Sequence, residues 1–241
     1  YYAEALSQAG KAESALHEYE QAARLSPRDV EFGLKYGIAL ESKSPQQAIA
    51  QLTEVARQHP NSPEVLNALG TLLRKTGNLQ ESASVLRRSR EISTETAQHS
   101  EAVLQTNRAI ELLKQGQVPA AIDSLHAALK SQPDSVDANH YMGIAQAALG
   151  KWAEARDAFQ TALRADPANA DIHFNFGVTL EKEGDWRGAA RELETALTLK
   201  PQNAQASCQL ANALSHAGEK TRASEELDRA RRVGTCVIDP P

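Results

Sequence analysis

The chain repeats itself every 34 residues, and this period constrains its fold more than any other feature. The segments 136–169 and 170–203 align without a gap, and matched positions carry residues of the same size and type. The matched pairs are Gly143 and Gly177, Gly150 and Gly184, Ala155 and Ala189, Phe159 and Leu193, Ala162 and Ala196, and Pro167 and Pro201. A unit this short cannot bury its own apolar face, so successive units must stack into an array.

The positions within each repeat predict a pair of helices. Counted from the first residue of a unit, positions 8, 20 and 27 mostly hold Gly, Ala or Ser, and positions 11 and 24 mostly hold Leu. Small residues let two antiparallel helices approach closely, and the larger residues fill the spaces beside them. Glycine at position 15 predicts a left-handed end to the first helix, and proline at position 32 ends the second. The predicted fold is all-α.

The register divides the chain into two sub-arrays, 1–96 and 102–235, with residues 97–101 inserted between them. The predicted units are a partial repeat 1–28 and the repeats 30–62, 63–96, 102–135, 136–169, 170–203 and 204–235, followed by a tail 236–241. The insertion predicts either a lengthened helix or a hinge. Because the partial repeat starts inside its first helix, we expect the chain to be a segment of a longer protein.

This pattern resembles the tetratricopeptide repeat (TPR) family over nearly the whole chain. The resemblance implies a right-handed α-solenoid, the TPR superhelix, with about six full repeats plus a partial N-terminal one. In that family the first helices line a concave groove. Trp152 and Trp186, both at position 17, match the aromatic residue that often opens the second helix. We expect both side chains to pack against the turn between the helices.

The resemblance also implies where a partner would bind, namely at positions 2, 5, 6, 9, 12 and 13 of the first helices. The candidate groove residues are Asn67, Arg74, Asn107, His140, Tyr141, Phe174, Asn175, Gln209 and Asn212. Members that clamp a chaperone tail use a set of Lys, Asn and Arg that no three consecutive units here supply. Other members hold a peptide backbone with asparagine at position 6, which Asn107 and Asn175 occupy. Polar residues that merely solvate the surface are the alternative interpretation.

Composition argues against a nucleic-acid partner. The chain has 26 basic and 31 acidic residues and a net charge of −5, whereas nonspecific nucleic-acid binding requires a clustered positive surface. One basic run, formed by Arg87, Arg88 and Arg90, falls at a predicted helix C-terminus, where it would compensate the helix dipole. No stretch approaches 18 consecutive apolar residues, so we expect no direct membrane span.

The sequence carries no motif for catalysis, for a cofactor or for a metal. We therefore predict a non-catalytic protein–protein interaction scaffold, without a cofactor, that binds an extended or helical peptide segment of a protein partner in its groove. The alternative is a substrate-recruiting or regulatory TPR arm of a larger enzyme, or an envelope assembly factor. A third hypothesis is self-association through exposed repeat ends.

The two cysteines form a candidate disulfide. Cys208 lies near the start of the last predicted first helix, and Cys236 follows the end of the last second helix. These two ends are neighbours in an antiparallel pair, so a bridge is geometrically feasible and would staple the last hairpin. The alternative is two free thiols. A bridge would favour an oxidising compartment.

Overall fold

The structure, a computed structural model, describes residues 2–234. That range contains thirteen α-helices and no β-strand. The helices are α1 (Tyr2–Gln8), α2 (Ala12–Leu25), α3 (Val30–Leu40), α4 (Pro45–Gln58), α5 (Pro63–Lys75), α6 (Leu79–Lys114), α7 (Val118–Ser131), α8 (Val136–Ala148), α9 (Trp152–Ala165), α10 (Ala170–Glu183), α11 (Trp186–Leu199), α12 (Ala204–His216) and α13 (Lys220–Val233). The tail and Cys236 lie outside the described residues.

The chain divides into two compact units, residues 1–97 and residues 98–241. In the N-terminal unit each helix from α1 to α5 packs on the next one, and α3 also contacts α5. In the C-terminal unit the same holds from α7 to α13, and α8 contacts α10 while α10 contacts α12. First helices of successive repeats therefore lie side by side, which confirms the predicted all-α solenoid of stacked helix pairs.

Small residues face the partner helix where the sequence places them. Ala121, Ala155 and Ala189, all at position 20, are completely buried. A Cβ atom added to Gly143 would stand 2.7 Å from the ring of Phe159, so α8 and α9 touch at this point. Ser82 occupies position 20 in the repeat 63–96, and its hydroxyl donates a hydrogen bond to the Gly70 carbonyl at 2.6 Å. A small polar residue is tolerated in this buried position because its hydroxyl is satisfied.

The helix ends follow the predicted chemistry. The glycines at position 15 have φ between 70° and 90°, the left-handed conformation that ends the first helix: Gly10, Gly77, Gly116, Gly150, Gly184 and Gly218. At the start of five first helices, a side-chain oxygen of the capping residue accepts a hydrogen bond from a backbone N–H of the helix. The capping residues are Asp29, Ser62, Ser135, Asn169 and Asn203. These caps fix where each of the five helices begins.

The helix α6 differs from all the others, because it runs without a break for 36 residues. It joins the second helix of the repeat 63–96 to the first helix of the repeat 102–135, and residues 97–101 lie inside it. The prediction that Arg87, Arg88 and Arg90 stand at a helix C-terminus is wrong, because the helix continues to Lys114. No helix in residues 2–234 is both long and apolar enough to cross a membrane.

Candidate functional site

Six of the nine predicted groove residues lie on three successive first helices of the C-terminal unit. His140 and Tyr141 are on α8, Phe174 and Asn175 on α10, and Gln209 and Asn212 on α12. Asn107 is on the last part of α6, which is the preceding first helix. We call these seven residues the first-helix face. Asn67 and Arg74 lie in the N-terminal unit, on α5, where both are exposed.

The first-helix face contains a hydrogen bond between neighbouring repeats. The amide nitrogen of Asn175 lies 2.9 Å from Nε2 of His140. Burial lowers the pKa of His140 below 6.5, and the opposing effect of Asp137 and Asp171 is smaller. His140 is therefore uncharged at neutral pH, and its Nε2 accepts a hydrogen bond from the Asn175 amide while Nδ1 carries the ring proton. The amide oxygen of Asn175 accepts no hydrogen bond from residues 2–234 and is left for another donor.

The two aromatic residues of the face have a structural role as well. Tyr141 packs against the core around Ala138 and Met142, and its ring lies 5.2 Å from that of His140. Phe174 packs against the core that contains Phe176 and Leu210. Both are only partly buried, so each also presents apolar surface outside the core.

The remaining polar groups differ in how they are held. Asn107 is exposed and Gln209 is half-buried, and neither side chain forms a hydrogen bond within residues 2–234. The same is true of Asn67 and Arg74 in the N-terminal unit. In contrast, the amide nitrogen of Asn212 donates to Oε1 of Glu181 at 2.9 Å. Asn175 and Asn212 are thus oriented by hydrogen bonds between neighbouring repeats, which the other four side chains lack within residues 2–234.

Glu181, on α10, belongs to this region but is not one of the nine candidate groove residues. It is 6 % exposed, and this burial raises its pKa to about 7. The hydrogen bond from Asn212 and the positive charges of Lys182 and His216 act in the opposite direction but do not overcome burial. Position 12 is one of the expected groove positions, yet nothing in the sequence distinguishes this glutamate from an exposed one.

A stacked pair lies beside this carboxyl group. The rings of Trp186 and His216 are 4.1 Å apart and inclined by 16°, and Nδ1 of His216 donates to the Asn212 carbonyl at 3.0 Å. Trp186 therefore packs on the first helix of the next repeat. The stack holds the end of α12 against the start of α11.

The candidate disulfide stays a prediction. Cys208 is completely buried on α12, and Cys236 lies outside the described residues.

No cluster of three or more His, Cys, Asp or Glu side chains suited to a metal ion occurs in residues 2–234. A separate cleft of about 410 Å³ lies between α11 and α13, lined by Glu194, Arg222 and Arg229 over Leu210 and Leu197. It does not include the first-helix face.

Family models of the tetratricopeptide repeat match residues 39–103, 106–170 and 180–234. Together these matches cover well over half of the chain. The chain belongs to the tetratricopeptide repeat family. TPR arrays are in general scaffolds for protein–protein interaction, and this chain has that architecture.

Solved TPR structures resemble the chain at low sequence identity. The MamA protein is 18 % identical, with a TM-score of 0.47 over 85 % of this chain and 91 % of that chain. MamA from Desulfovibrio magneticus RS-1 is 16 % identical, with a TM-score of 0.48 over 90 % and 94 %. A chain of the APC/C hetero-tetramer Cut9-Hcn1 is 14 % identical, with a TM-score of 0.52 over 96 % of this chain and 45 % of that one. No curated protein sequence matches the chain. The Cut9-Hcn1 likeness supports the TPR fold alone.

Proposed function

We propose that the chain is a non-catalytic scaffold that binds an extended or helical peptide segment of a protein partner on the first-helix face. The observation that carries the proposal is the pair formed by His140 and Asn175. It holds one asparagine amide in place and leaves its oxygen for an outside donor. A group that is already oriented loses less conformational entropy on binding, so it contributes more to affinity.

The mixture of groups on this face suits a peptide better than a small charged molecule. Tyr141 and Phe174 offer apolar surface, and the amides of Asn107, Asn175 and Gln209 both donate and accept hydrogen bonds. A peptide backbone presents the matching N–H and C=O groups at regular spacing. The net charge of −5 disfavours a nucleic acid as the partner.

The test is the double variant Asn107→Ala with Asn175→Ala, measured against a peptide selected from a random library on the native chain. We expect the dissociation constant to rise about tenfold, because two amides that contact the peptide are lost. Thermal stability should change little, since in the part of the chain that the structure describes the Asn107 side chain forms no hydrogen bond and that of Asn175 forms a single one. The matched control is Asn78→Ala, an exposed amide in the turn between α5 and α6. An unchanged affinity in the double variant would count against the proposed face.

A further inference from the structure

Glu181 is a buried carboxyl group without an ion pair. It is the one acidic residue that is buried within residues 2–234, and none of the described Lys, Arg or His side chains forms an ion pair with it. Other acidic residues of the same helix are paired: Asp171 with Lys200 and Glu183 with Arg156. Burying a carboxylate without a cation is costly, so an unpaired one requires an explanation.

An equivalent glutamate in the N-terminal unit shows what is missing. Glu41 occupies position 12 of its repeat, and Lys75, at position 13 of the next repeat, donates to its carboxylate. Glu181 also occupies position 12, but position 13 of the next repeat is His216. That histidine stacks on Trp186 and donates to the Asn212 carbonyl, so it forms no bond with Glu181. The repeat 170–203 therefore has the glutamate at position 12, but the next repeat has no lysine at position 13 to pair with it.

The two oxygens of this carboxyl group differ in their surroundings. Asn212 holds Oε1 by a hydrogen bond of 2.9 Å, whereas Oε2 has no partner within residues 2–234. Oε2 is not fully enclosed by the protein, so it reaches solvent. The nearby charged groups are Lys182 on the same helix, which is exposed, and His216 on α12.

We infer that Glu181 and Asn212 form a subsite for a lysine or arginine side chain of the peptide that binds the first-helix face. This inference rests on the proposed function and adds the charge of the partner to it. The entering cation would take the place relative to Glu181 that Lys75 has relative to Glu41. The amide oxygen of Asn212 would accept a second hydrogen bond from the same cation.

The experiment selects peptides from a random twelve-residue phage-displayed library on the full chain. The native chain should enrich Lys or Arg at one peptide position, and the Glu181→Gln variant should lose this enrichment. Glu183→Gln, two residues away on the same helix, is the matched control and should keep it. Replacing the enriched lysine by norleucine should weaken binding at least about tenfold for the native chain and little for Glu181→Gln.

A second variant tests the same subsite from the opposite direction. His216→Lys should supply the cation that Lys75 supplies to Glu41, and so should occupy the carboxylate and abolish the preference for a basic residue. For the native chain, affinity for the lysine peptide should fall as the pH drops below about 7, because a protonated Glu181 cannot form the ion pair. Circular dichroism is the control that checks whether both variants fold.

Two outcomes would overturn the inference. Selected peptides without an enriched basic residue, or a norleucine effect of equal size in Glu181→Gln, would remove the subsite while leaving peptide binding intact. Failure of the native chain to select any peptide would overturn the proposed function, and the inference with it.

Discussion

The contact between Gly143 and Phe159 sets how closely α8 approaches α9. A methyl group at position 143 would stand 2.7 Å from Cε1 and Cζ of Phe159, and an aromatic ring has no flexible end that could move aside. We expect Gly143→Ala to lower the free energy of unfolding of the C-terminal unit by about 2 kcal/mol, because the overpacking outweighs the better helix propensity of alanine. Chemical denaturation measures the loss.

The control for this prediction replaces the opposing ring. Phe159→Leu introduces the residue that Leu193 provides at the same position of the next repeat, where it faces Gly177. A branched aliphatic side chain can change its rotamer, so Gly143→Ala should cost less in the Phe159→Leu background. Equal losses in both backgrounds would show that the ring does not set the spacing.

The raised pKa of Glu181 predicts how stability depends on pH in the absence of a partner. Burial raises the pKa of this carboxyl group from 4.5 to about 7, so the folded state binds the proton more tightly than the unfolded state. The contribution of this protonated carboxyl group to stability is fully present below pH 4.5 and is lost as the pH rises to about 7. Between pH 5 and pH 8 the free energy of unfolding of the native chain should therefore fall by up to about 3 kcal/mol relative to that of Glu181→Gln. Parallel denaturation curves across this range measure the difference, and identical pH profiles would contradict the prediction.

At the scale of elements, α6 contains an exposed stretch, whose link to another segment is the hydrogen-bond contact of 3.0 Å between the side chains of His99 and Gln132. All residues from 93 to 101 are exposed, whereas Ile92 and Ala102 on either side are buried. Helices in proteins owe most of their stability to tertiary packing, so these turns depend on their own backbone hydrogen bonds. We expect amide hydrogens in residues 93–101 to exchange at least about tenfold faster than those in the flanking turns. Hydrogen-exchange mass spectrometry with overlapping peptides tests this, and uniform protection along α6 would argue against it.

At the scale of the whole molecule, each repeat is stabilised by its neighbours, so damage should stay within one unit. Leu193 is completely buried in the C-terminal unit, and truncating such a leucine costs about 2–5 kcal/mol. We expect Leu193→Ala to lower exchange protection in α8 to α13 and to leave α3 to α5 unchanged. Leu199→Ala, which truncates a leucine that is 39 % exposed, is the control. Equal loss of protection in both units would show that the chain unfolds as one cooperative body.

Self-association through the repeat ends stays a prediction, and concentration-dependent light scattering tests it. The sequence of α13 is relevant to this hypothesis, because Arg231 occupies position 28 of its repeat. In earlier repeats this position holds Leu163 and Leu197, which pack against the core. Arg231 is exposed and paired with Asp228. A contact at that face would have to desolvate a guanidinium group, which disfavours an apolar end-to-end interface.

The fold could be read from the sequence because its determinants are local and recur. A glycine with positive φ, a capping side chain and a small residue opposite a large one each act over a few residues or within one hairpin. The long helix α6 follows from the same rules, since neither Gly nor Pro occurs between Gly77 and Gly116. Arg87, Arg88 and Arg90 lie within this helix and not at its end, because residues 97–101 extend the helix into the next repeat.

The chemistry of the first-helix face was decided only by tertiary structure. The bond between His140 and Asn175 joins residues 35 apart, and the bond between Glu181 and Asn212 joins residues 31 apart. The sequence shows which side chains are able to form hydrogen bonds. Whether such a side chain is buried, and which group it contacts, depends on how the next repeat packs against it. Hence the sequence alone determined an array of TPR hairpins and predicted which positions would face a partner. Packing between repeats determined which asparagines are held, which histidine is neutral and which carboxylate is left without a cation.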